Sequence, residues 1–159
     1  MNKKENWPEL MQEYLQRVRD RPFAWGTFDC CMFAADCVMA MTGDDPASDF
    51  RGAYTDAETA ARALVDYAGA PGLIPTVEKI AAVHGWEEWN NPMRIGRGDV
   101  VLGNPDVLSA EVADGTMGIC AGTISLFVGD KGLIGVSTIA LPGKPKNILR
   151  GWHIKTVRD

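Results

Sequence analysis

The sequence predicts an α+β fold, with helices in its first half and an antiparallel sheet in its second, and three observations carry that expectation. Up to residue 85, apolar side chains recur at helical spacing between capping residues and glycine stops. From Asp99 onward they fall into short β-type runs separated by Gly, Pro and Asp. Between two of those runs, Gly129-Asp130-Lys131-Gly132 has the composition and length of a hairpin turn. A chain of 159 residues, 46% of them hydrophobic, builds one well-buried core, so a single domain over residues 1–159 is expected.

The first helix places Leu10, Met11, Tyr14, Leu15 and Val18 on one face, with Asn6 as cap and Pro8 in the first turn. A second begins after Asp29, whose side chain suits an N-cap, and runs to Thr42, where Gly43 stops it; Phe33, Cys37, Val38 and Met41 form its buried stripe. A third starts at Thr55, with Thr55 and Glu58 as a capping box, and passes through Ala60, Leu64 and Tyr67 toward Gly69. A fourth spans Thr76 to His84, with Ile80 and Val83 inward and Gly85 at the stop. Strands are expected at Asp99–Leu102, Met117–Ala121, Ile124–Val128, Leu133–Val136 and Ile148–Ile154. The sheet then needs the helices to cover its apolar face.

Charge and cysteine usage exclude several functions. The 16 basic and 21 acidic side chains give a net charge of -5, with no block of five like charges, which argues against nucleic acid as the main partner. The first ten residues lead into no apolar core of a secretory signal, and Asp36 interrupts the longest apolar stretch, CCMFAADCVMAM. A soluble chain with neither leader nor membrane span is expected. Its four cysteines should be free thiols; with no Cys-x-x-Cys pair among Cys30, Cys31, Cys37 and Cys120, neither a metal nor another cofactor is expected.

The segment Phe23 to Met41 carries the chemistry. It sets Cys30 in the first turn of a helix directly after the Asp29 cap, where unpaired amides and the positive end of the helix dipole favour a thiolate. From position alone Cys30 is either a nucleophile, or its relic, or a packing residue. Cys31 and Cys37 read as core, and Asp29 as a cap rather than an acid or base.

Three motifs around these residues resemble the NlpC/P60 superfamily of papain-like cysteine peptidases. WGTFDCCMF looks like the Gly, spacer and Asp-Cys that open that family's catalytic helix; RGDVVLG at Arg97–Gly103 is similar to its Gly-Asp strand opening; and TMGICAG at Thr116–Gly122 is similar to the His-Val-Gly-Ile strand. The resemblance implies a papain-like domain with Cys30 as nucleophile. It also implies a general-base histidine where this chain has Thr116, whose hydroxyl cannot exchange a proton near neutral pH. Only His153, in the last strand, and His84, at a helix end, remain as replacements, and His153 is the better placed of the two.

Within that superfamily FAWGTFDC, TGDDP, RGAY and RGWHI resemble short phage and prophage proteins associated with tails. This implies a virion tail location after synthesis in the host cytoplasm and other tail proteins as partners, and Thr116 in place of the histidine makes a degenerate site the expectation. The alternative it leaves open is an active hydrolase cutting peptidoglycan peptides during entry. Three further features have plain readings: Asp99 fixes a turn, Asp44, Asp45 and Asp49 line a solvated turn, and Trp86 with Trp89 form either packing or an exposed contact patch.

Overall fold

The computed structural model of the chain describes residues 1–108 and 112–159. Four helices, α1 (Trp7–Val18), α2 (Cys30–Thr42), α3 (Ala57–Ala68) and α4 (Leu73–His84), precede six strands: β1 (Glu87–Glu88), β2 (Val100–Gly103), β3 (Thr116–Cys120), β4 (Ile124–Gly129), β5 (Gly132–Ser137) and β6 (Ile148–His153). The strands form one antiparallel sheet in the order β1-β6-β2-β3-β4-β5. The α+β arrangement is therefore as expected, with β1 added at one edge.

The middle of the molecule is α2. Asp29 caps it from an extended backbone, and Gly43 ends it in the left-handed conformation at φ 89°. It is apolar nearly all round because it is covered on two sides, by α1 and by β3. Phe33, Cys37, Val38 and Met41 have no exposed surface. On the helix side of the sheet, Val100, Leu102, Met117, Ile119 and Trp152 complete this core. The opposite face carries a smaller one, in which Val101, Cys120, Phe127 and Ile148 pack with Ile95 and Leu108.

Period-two alternation explains the two faces, and one glycine lets them meet. A Cβ on Gly118 in β3 would lie 2.5 Å from both the Leu126 carbonyl oxygen and the Phe127 ring, so only glycine lets β4 pack there. The Gly129–Gly132 pairing closes β4 onto β5 through the two residues Asp130 and Lys131, as the sequence predicts.

Four details differ from expectation. The Asn6 side chain makes no capping bond to α1. The capping box of α3 is Asp56 with Thr59, one residue later than Thr55 with Glu58. Helix α4 begins three residues before Thr76, because the Asp114 carboxylate accepts from the amides of Leu73 (3.0 Å) and Ile74 (2.9 Å) and Pro75 falls within the first turn. Val83, expected inward, is 66% exposed at the end of that helix.

The two ends of the chain run beside each other. Lys3 forms a parallel bridge with Thr156, its amide donating to the Lys155 carbonyl at 2.7 Å. No helix among the described residues is long and apolar enough to cross a membrane.

Candidate active site

Asp29 is fully occupied as a structural acceptor. One carboxylate oxygen takes the Met32 amide at 2.9 Å, the normal capping bond; the other takes the Gly26 amide at 2.9 Å and the Tyr54 hydroxyl at 2.6 Å. Burial raises the Tyr54 pKa, with the charges of Cys31 and Asp29 adding to the effect, so the phenol stays a donor. Gly26 sits at φ +77°, where a Cβ would be 2.3 Å from the Tyr54 carbonyl oxygen. The loop before α2 and the RGAY segment thus close on each other and hold the start of the helix. Asp29 has the cap role expected of it.

Cys30 occupies the first helical position and is 8% exposed. Its sulfur lies 4.0 Å from the Cys31 sulfur. The Cys31 thiol, with lesser contributions from the Met117 amide and the Thr116 hydroxyl, holds the Cys30 pKa below the ordinary thiol value, against burial and the Asp29 charge. Cys31 goes the other way: its bond to Cys30 and its burial raise its pKa well above normal, so it remains the protonated partner. Cys31 is therefore part of the thiol site rather than simple core packing, and it is only half-buried. Cys37 is core as expected, its thiol pushed up to about 12 by burial.

Thr116 stands beside Cys30, at the start of β3 and opposite Gly103 of β2. His153 does not. The register pairs Val100 with both Trp152 and Ile119, which sets His153 beside Asp99 at the other end of the sheet from Thr116. Four residues of rise and two strand spacings separate it from Thr116 by roughly 16 Å. Its Nδ1 is 2.9 Å from Asp99 Oδ1 and its Nε2 is 3.6 Å from Asp159 Oδ2. As a base for Cys30, His153 is thus corrected by the strand pairing. His84 ends α4 beside Trp86, at a ring separation of 6.3 Å, and makes no bond to the thiol site.

Asp99 fixes its turn by accepting from the Gly96 amide at 2.9 Å, as expected, but it also takes the Trp89 indole at 2.7 Å and lies 3.9 Å from the buried Lys3 ammonium. Burial lowers the Lys3 pKa and Asp99 opposes that shift. Trp89 is therefore packing; Trp86, whose indole points at the Met1 sulfur at 3.3 Å, is half-buried packing as well. In the acidic turn Asp45 accepts two bonds from Arg51, which also pairs with Asp36 at 2.6 Å. Among the described residues no three His, Cys, Asp or Glu side chains converge as a metal site.

Behind the thiols, between α2, α3, α4 and the sheet, lies a cavity of about 70 Å³ whose walls include Ala35, Val38, Leu64, Val77 and Met117. The molecule is thus an α+β protein with a paired-thiol site at the mouth of its central helix and an apolar cavity behind it. The chain belongs to the DUF6950 family, described as a domain of unknown function, which matches residues 2–142 and so takes in all four helices and the first five strands. No curated protein and no solved structure matches the chain.

Proposed function

We propose that this chain is a papain-like domain of the NlpC/P60 type that serves in a phage tail as an assembly or tail-tip component, with a thiol site that has lost amide hydrolysis. The observation that carries the loss is the Thr116 hydroxyl beside the Cys30 sulfur, where a peptidase needs a proton acceptor. A neutral hydroxyl can steady a thiolate, but it cannot protonate an amine leaving group near pH 7.

The tail assignment rests on the resemblance of FAWGTFDC, TGDDP, RGAY and RGWHI to short tail-associated phage and prophage proteins. FAWGTFDC and RGAY join through Gly26, Asp29 and Tyr54, while RGDVVLG and RGWHI join through the 2.9 Å contact of Asp99 with His153. Other tail proteins are then its partners.

Incubation of the purified chain with peptidoglycan, followed by mass spectrometry of released peptides, tests the reading: no cleavage is expected, and tails should assemble normally with Cys30→Ala. Cleavage lost in that variant would overturn it. One observation favours the competing reading of an active hydrolase, namely the lowered pKa of Cys30, and the same assay decides between them.

A further inference from the structure

The thiol site and the cavity behind it share their lining: Cys30 and Cys31 both face the space enclosed by Ala35, Leu64, Val77 and Met117. An outer cleft of about 450 Å³ borders the same space, sharing Trp25, Ala60, Leu64 and Val112 with it and bounded by Gly72 and Asp114. Trp25, Ala60, Leu64 and Val112 thus stand between the cleft and the cavity that holds the sulfur. The inner walls are almost wholly carbon, so the cavity offers water little polar surface and favours a hydrocarbon occupant. A dry cavity of about 150 Å³ admits benzene, and by that measure this one takes a chain of about three or four carbons.

Amides are closed to a thiol without a base, but thioesters are not. Their leaving group is itself a thiolate, which departs without prior protonation. We propose that Cys30 is an acyl acceptor: it takes a short aliphatic acyl group from an acyl thioester, with the chain seated in the apolar cavity. The Cys30 thiol gives its proton to solvent, its sulfur bonds to the acyl carbon, the bond from that carbon to the donor sulfur breaks, and the donor thiolate leaves and takes a proton back from solvent. No oxidant or reductant enters. The amides of Cys30 and Cys31, which have no hydrogen-bond partner among the described residues, are the donors at hand for the oxyanion that forms on attack. Without a base to activate water, the new thioester on Cys30 persists.

The inference rests on Cys30 being an activated thiol that lacks a base, and it is tested apart from that reading. The full chain is incubated with the acetyl, butyryl and octanoyl thioesters of N-acetylcysteamine, and the adduct is followed by intact mass and located by peptide mapping. Butyryl should add once, at Cys30, at least about tenfold faster than acetyl, since burying two further methylenes is worth about that factor. It should also outrun octanoyl, which the cavity cannot hold. Ala35→Leu, which fills the cavity, should shift the preference from butyryl to acetyl, while the chain-length series on the unmodified protein needs no variant to fold. Absence of an adduct, adducts formed without regard to chain length, or modification chiefly at another cysteine would overturn the proposal. If iodoacetamide alkylates Cys30 while butyryl does not add, the acyl-acceptor role fails and the non-hydrolytic reading stands; peptidoglycan cleavage would fell that reading instead.

Discussion

Tyr54 donates its hydroxyl to Asp29 across 2.6 Å, and through that bond a residue 25 positions away fixes the turn that presents Cys30. Asp29 in turn holds Gly26 and Met32, so one carboxylate ties a loop, a helix start and the RGAY segment together. Tyr54→Phe should cost about 1.5–3 kcal/mol, the value of a bond to a charged acceptor. Asp29→Ala should cost more, about 3–5 kcal/mol, because it removes a cap and strands the buried Tyr54 hydroxyl and the half-buried Gly26 amide. The double variant should fall short of the sum of the two. Urea unfolding measures all three, and strict additivity would show that the bond contributes nothing.

Thr116→Val removes one of the donors that steady the Cys30 thiolate, so the midpoint of its alkylation with pH should move upward. Thr116→Ser, which keeps the hydroxyl, should leave the midpoint near its original place. The pH dependence of iodoacetamide labelling at Cys30, followed by peptide mapping, separates the two. An unchanged midpoint in Thr116→Val would remove Thr116 from the site.

His153→Ala should leave the rate of Cys30 alkylation unaltered, since the register sets the two at opposite ends of the sheet. Asp99→Asn should instead act on stability. It leaves the Lys3 ammonium, 1% exposed, without its charge partner, a loss of about 3–5 kcal/mol for a buried pair broken on one side. A fall in Cys30 reactivity with His153→Ala would mean that the two residues communicate after all.

Stability should decline as the solution becomes alkaline. Cys37 holds its proton up to about 12 in the fold, whereas the unfolded thiol releases it near its ordinary value of 9.0. Between those values the unfolded chain binds fewer protons than the native one, so the free energy of unfolding falls with rising pH, by about 1.4 kcal/mol per unit for one such group. Tyr14 and Tyr54, both raised by burial, add to the trend at higher pH. Cys37→Ala should flatten the slope of urea midpoints from pH 9 upward. An equal slope in the variant would assign the alkaline loss elsewhere.

What the sequence revealed depended on how far apart the interacting residues lie. The bounds of α2 were legible because both signals, Asp29 before it and Gly43 after it, are local. So was the position of Cys30 in the first turn. The start of α4 was not, since its cap is Asp114, about 40 positions further along the chain. The partner of His153 was hidden for a similar reason: strand periodicity assigns faces but not neighbours, and only the register brings Asp99 to it. Helical spacing assigns Cys31 to packing because it says nothing of a cavity walled by two other helices.

The strand β6, last in chain order, lies between β1 and β2 rather than at an edge. Until residues 148–153 have emerged from the ribosome, one flank of β2 has nothing to bond with. A half-made chain therefore exposes an open, apolar strand that invites pairing with other nascent chains, and the sheet can close only once synthesis has passed that point.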